Sequence, residues 1–123
     1  MADSPLPLFV FGTLRRGEPN HGYLAGSYER WLAADLPGFA REITLHGFPA
    51  AVPAPDGRIS GELFFLRPGL HSETLARCDA LEDIPPGQLA GKYYRRARVR
   101  VETAEGELIA WAYVDPRTSG FPA

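Results

Sequence analysis

A chain of 123 residues with a formal charge of −2 fits one domain, taken as residues 1–123, and gives no electrostatic case for nucleic acid or an anionic membrane as partner. Its 45% hydrophobic content suffices for one core, and its 12 prolines and 13 glycines point to turns and short strands rather than long helices. The lone cysteine, Cys78, excludes an internal disulfide or a thiolate cluster, and His21, His46 and His71 show no ligand spacing. No apolar run approaches the roughly 20 residues that span a bilayer. Met1–Ser4 lacks the features of a signal peptide, so the expectation is a cytoplasmic protein without metal or cofactor.

In chain order, Leu8-Phe9-Val10-Phe11 is a short apolar run stopped by Gly12 and predicts a buried first strand. Arg15 to Gly26 is polar and glycine-punctuated, a loop with one helical turn near Asn20-His21. Strands follow over Tyr28–Leu36 and Phe39–Leu45, separated by the turn pair Pro37-Gly38. The break at residues 46–49 leads into Ala50-Ala51-Val52, and Pro55-Asp56-Gly57 predicts a tight turn into the strand Ile59–Leu66.

Leu70 to Asp83 is the one clear helix, with Ser72 as N-cap and Pro85-Pro86-Gly87 forbidding continuation. Tyr93–Glu102 alternates, Val99 and Val101 on one face and Arg96, Arg98 and Arg100 on the other. Ala104-Glu105-Gly106 turns the chain into Leu108–Val114, so residues 94–114 form a hairpin and a tail begins at Pro116. A strand-rich chain with one main helix is α+β, a curled sheet or small barrel.

Glu82 follows Leu75 by seven residues and lies only about 20° from it on the helical wheel, so it points with the apolar stripe at the last turn. Burial and the helix C-terminus both disfavour a negative charge there, which raises the pKa toward the range useful for proton transfer. The competing reading makes Glu82 a surface residue paired with one of the arginines. Glu62, inside an apolar strand, is a rival buried carboxylate that reads as mainly structural.

The turn Phe11-Gly12-Thr13-Leu14 is the second candidate. A glycine at a strand end lets backbone N–H groups converge on an anion or oxyanion. Gly12 is then expected to adopt a conformation or close contact that a side chain would obstruct; a purely structural turn is the alternative. Trp111 and Tyr113 share one strand face, where both pack in the core or Tyr113 turns its hydroxyl into a pocket. Cys78 reads as a small core residue, and Asn20 and His21 as ties for the loop after the first strand.

Together these segments resemble the γ-glutamylcyclotransferase and γ-glutamylamine cyclotransferase family. The matching residues are Leu8 through Gly17, Asn20-His21, Pro37-Gly38-Phe39, Pro49-Ala50, Gly61-Glu62-Leu63, Leu75, Cys78 through Glu82, Tyr94-Arg95-Arg96 and Ala110 through Val114. The resemblance runs in order along nearly the whole chain. It implies a small mixed, mostly antiparallel β-barrel with one main helix and an active pocket at its mouth. It places the family's acid/base glutamate on Glu82. It makes Phe11, Gly12, Thr13 and Leu14, with Tyr113, the substrate-binding residues.

The implied reaction closes a γ-glutamyl amine or peptide into 5-oxoproline and releases the amine. A small-molecule substrate is the only partner implied, and the chain is a monomer or homodimer. Two positions depart from the family's pattern: Phe11 stands where tyrosine is usual, and Asp83 where glycine usually follows the glutamate. Both touch the pocket rim. They keep open a non-catalytic binding or regulatory module on the same fold. Deacylation of a γ-glutamyl-protected natural product is a further enzymatic alternative.

Overall fold

β1 (Leu8–Val10) is buried on both faces, because it lies between the barrel interior and the helix. Phe9 points into the barrel with Leu36, Leu63, Val99 and Val101, whereas Leu8 and Val10 pack outward with Leu75, Cys78 and Ile84. The remaining strands are β2 (Tyr28–Ile43), β3 (Pro49–Leu66), β4 (Arg95–Thr103) and β5 (Gly106–Val114), with α1 (His71–Leu81) between β3 and β4. The chain is seen in a computed structural model that describes residues 5–43, 47 and 49–117. The end of the predicted strand Phe39–Leu45, part of the break around His46 and the tail from residue 118 lie outside these.

The strands close in the order β1-β3-β2-β4-β5, antiparallel except where β5 returns alongside β1 in parallel. This is the expected small mixed barrel. The described pairing of β2 with β4 is confined to Ala34↔Thr103 and Asp35↔Glu102. Asp35 and Glu102 would repel across that seam, and Arg58 bridges them at 3.1 and 2.7 Å. At the other end, β1 and β5 finish together beside the start of β4, and the barrel has its mouth there.

Two predicted turns are absorbed into long strands. Pro37 pairs with Arg58 and Phe39 with Pro53, so Gly38 alone opposes residues 54–57 of β3. Gly38 takes a left-handed φ of 84° there, which bends the pair without ending it. Gly61 answers a different need: a Cβ at that position would strike the Val10 carbonyl and the Phe9 ring, so only glycine lets β3 approach β1 this closely. The β4–β5 hairpin is as read, with Val99 and Val101 buried and Arg98 and Arg100 exposed.

The predicted helix is longer than the observed one at both ends. A 3₁₀ turn over Pro68–Leu70 runs directly into α1, so His71 is already helical and Ser72 lies inside the helix, not at its cap. At the other end Glu82 is the C-cap and Asp83 turns left-handed, with φ 60°. The Asp83 N–H donates to Ala80 O and the Ile84 N–H to Asp79 O, at 3.1 and 2.9 Å. That pair of bonds is a Schellman motif, closed by Ile84 packing into the cluster of Leu75 and Cys78.

Candidate active site

The stripe Thr74, Leu75, Cys78, Asp79 is the buried face of α1, and Glu82 continues it one turn further. The Schellman turn that follows fixes the carboxylate at the barrel mouth. It lines a cavity of about 340 Å³ together with Phe9, Val10, Arg15, Glu18, Arg41, Pro49 and Tyr94, and with Phe11, Gly12, Thr13, Leu14 and Tyr113. Every residue assigned to the site from the sequence therefore faces one cavity.

Burial, followed by the neighbouring charges of Asp83 and Asp79, pushes the Glu82 carboxyl up to about 7. No described residue forms a hydrogen bond or ion pair with that carboxylate, so the competing arginine-paired reading finds no partner. Tyr94 senses Glu82: burial and then the Glu82 charge raise the Tyr94 phenol. The Tyr94 hydroxyl donates to the Pro49 carbonyl at 2.8 Å, tying the start of β3 to the segment after α1.

Opposite the helix, the turn after β1 is held from behind. Asn20 donates through Nδ2 to Thr13 Oγ1 at 2.8 Å and through its backbone to Thr13 O at 2.9 Å. The His21 ring meets the Leu14 carbonyl at 2.9 Å and the Tyr28 hydroxyl at 3.2 Å. Arg15 Nε donates to Gly12 O at 3.1 Å. These bonds occupy the turn's carbonyls, while no described acceptor takes the N–H groups of Gly12, Thr13 or Leu14. An array of this kind suits a carboxylate or a developing oxyanion.

Gly12 differs from expectation. Its φ is not left-handed, and a Cβ there would meet no atom within 4 Å. Gly12 lines the cavity, with open space where a side chain would begin. Phe11 is buried against Phe9, ring centroids 6.2 Å apart, and contributes apolar wall without a hydroxyl.

The Tyr113 ring lines the cavity, but its hydroxyl donates to Asp79 Oδ1 at 2.7 Å instead of entering the pocket. Asp79 also takes a two-pronged contact from Arg96, whose Nε and Nη2 lie 2.8 and 3.1 Å from its two oxygens. Arg96 in turn stacks on Trp111 at 4.4 Å. This network ties α1 to β4 and β5 directly under Glu82. Its signal in the sequence is the four-residue step from Leu75 to Asp79, which puts an aspartate on the buried stripe.

Glu62 is placed elsewhere. It accepts from the Arg16 backbone N–H at 2.8 Å and pairs with the Arg16 guanidinium at 3.5 Å, anchoring the loop after β1. Cys78 is fully buried, and burial pushes its thiol up to about 12, as befits a core residue. Among the described residues no group of three or more histidine, cysteine or carboxylate side chains is arranged to hold a metal, and no helix is long and apolar enough to cross a membrane.

A family model described as gamma-glutamyl cyclotransferase, AIG2-like, matches residues 8–120. A Vibrio cholerae protein that carries the name γ-glutamylcyclotransferase is 34% identical over 111 residues, covering 90% of this chain and 83% of its own. The γ-L-glutamyl-butirosin B γ-glutamyl cyclotransferase of Niallia circulans is 32% identical over 108 residues, 87% of this chain and 65% of that protein. Among solved structures, an uncharacterized protein from Pyrococcus horikoshii is 26% identical with a TM-score of 0.60, covering 94% of this chain and 82% of its own. A yeast γ-glutamyl cyclotransferase specific to glutathione is 14% identical with a TM-score of 0.66, covering 92% of this chain and 68% of that one, a likeness of fold.

Proposed function

The chain belongs to the γ-glutamyl cyclotransferase, AIG2-like family of enzymes, and we propose that it cyclises a γ-glutamyl amine or γ-glutamyl peptide with Glu82 as proton shuttle. The observation that carries this reading is one cavity lined by a carboxyl raised to about 7 and by Gly12, Thr13 and Leu14, where neither the carboxyl nor the three backbone N–H groups have a partner among the described residues.

In the proposed step the substrate's α-amine nitrogen attacks its own γ-carbonyl carbon. A C–N bond closes the five-membered lactam, and the bond from that carbon to the leaving nitrogen breaks. The proton lost by the α-amine passes to the Glu82 carboxylate and from it to the leaving nitrogen, so 5-oxoproline and a neutral amine form without net consumption of water. An α-amine titrates near about 8 and a base near 7 is matched to receive its proton. The N–H groups of Gly12, Thr13 and Leu14 hold the α-carboxylate or the carbonyl oxygen, which folds the glutamyl chain onto itself and fixes the attack geometry. Phe11 and Tyr113 supply the walls around the methylenes.

The reading is tested by incubating the protein with a small panel of γ-glutamyl amines and dipeptides and measuring 5-oxoproline. Release from at least one member of the panel, abolished in Glu82→Gln, supports it. Binding without release would favour the non-catalytic module instead.

A further inference from the structure

The four charged side chains of the cavity wall are not equivalent. Burial, with the neighbouring Asp83 and Asp79, pushes the Glu82 carboxyl up to about 7. Arg15 is committed to the Gly12 carbonyl at 3.1 Å and to Glu18 at 3.9 Å, which cancels one cation against one anion. Arg41 is different. It is exposed on β2 opposite Ala51, its guanidinium lies 5.5 Å from the Phe11 ring, and no described carboxylate pairs with it. Among the described residues, Arg41 is thus the cavity-wall cation without a carboxylate partner, and it stands above the Phe11 ring.

We infer that Arg41 receives a carboxylate on the leaving group, so that the substrate class is a γ-glutamyl amino acid or peptide and not a γ-glutamyl derivative of a cationic amine. The inference rests on the reading above, in which the unpaired N–H groups of the Gly12–Leu14 turn take the glutamyl head. With the head held there, the leaving side remains for the exposed rim where Arg41 stands. A guanidinium offers a carboxylate two parallel N–H donors and repels an ammonium of like charge. Being exposed, the contact is screened by salt and modest in strength.

The test compares γ-glutamyl-alanine with γ-glutamyl-ethylamide, which differ by the leaving-group carboxylate, in the wild-type protein and in Arg41→Gln. The ratio of kcat/KM for the two compounds is expected to favour γ-glutamyl-alanine in the wild type and to fall about fivefold or more in the variant, the range for an exposed to half-buried charged contact. A ratio that moves less than this overturns the inference, whether both compounds are lost together, as they are if Arg41 holds the glutamyl α-carboxylate, or neither is. If the wild type cyclises neither compound, the proposed reaction is decided on the wider panel of γ-glutamyl amines and dipeptides. The ratio of their dissociation constants by calorimetry, read against the same threshold, then decides on Arg41 alone.

Discussion

The Tyr113 hydroxyl and the Arg96 guanidinium meet on the same Asp79 oxygen, at 2.7 and 2.8 Å, one helical turn before Glu82. The aspartate and arginine side chains are only 12% and 11% exposed, so the pair is largely cut off from water. Glu82 owes its position to this clamp, because the clamp fixes the last turn of α1 against β4 and β5.

Asp79→Asn should accordingly act first on stability. It leaves Arg96 buried without its counter-charge, a loss of about 3 kcal/mol or more and a fall in Tm of about 10 °C or more. Thermal unfolding of the purified variant checks this. A Tm within a few degrees of wild type would mean that the network does not hold the helix end.

Gly12→Val should fold like wild type, since a Cβ at that position would meet nothing within 4 Å and the backbone there is not left-handed. The added isopropyl group enters the cavity, so KM for γ-glutamyl substrates should rise at least about tenfold, with Tm changed by only a few degrees. Unchanged kinetics would make the turn a structural one.

Much of this site was legible in the sequence. The seven-residue step from Leu75 to Glu82 is a property of helical periodicity, and the structure keeps both on one stripe. The stop after Phe11 likewise follows from an apolar run meeting glycine. Local rules failed where tertiary pairing took over. Pro37-Gly38 has turn chemistry, yet long pairing of β2 with β3 on both sides of it turns a break into a bulge. Ser72 has the right side chain for a cap, but a preceding 3₁₀ turn had already started the helix. Arg41 and Tyr94 reach the cavity through barrel closure, which no local pattern encodes, and Asp79 acquires its role only when β4 brings Arg96 beneath it.

Asp83 offers a test by pH. Its charge is the second cause, after burial, that raises Glu82, and its left-handed backbone is one that asparagine also accepts. Asp83→Asn should therefore fold normally and move the acid limb of kcat/KM, near 7 in the wild type, to lower pH. The sign follows from the base form being the active one: removing a neighbouring negative charge favours the carboxylate, so activity persists further into acid. A limb that stays in place would detach Glu82 from the profile.

Stability carries the same sign. A carboxyl whose folded pKa is raised above its unfolded value binds its proton more tightly in the native state, so its contribution is fully present below about 4.5 and is lost as pH rises through about 7. Glu82→Gln removes that loss. Its Tm relative to wild type should thus climb between pH 5 and pH 8, a trend absent if Glu82 titrates as an ordinary surface carboxyl.

The most direct test of the account measures 5-oxoproline release by Glu82→Gln and Glu62→Gln side by side, with melting temperatures to show that both fold. Glutamine keeps the shape of each side chain but cannot shuttle a proton. Glu82→Gln should lose at least about 10²-fold in kcat, the low end for general acid–base catalysis, at unchanged or higher Tm. Glu62→Gln loses its charge toward Arg16 and should melt somewhat lower while keeping most of its turnover. If Glu82→Gln turns over like wild type while Glu62→Gln is folded and inactive, the catalytic assignment to Glu82 is contradicted.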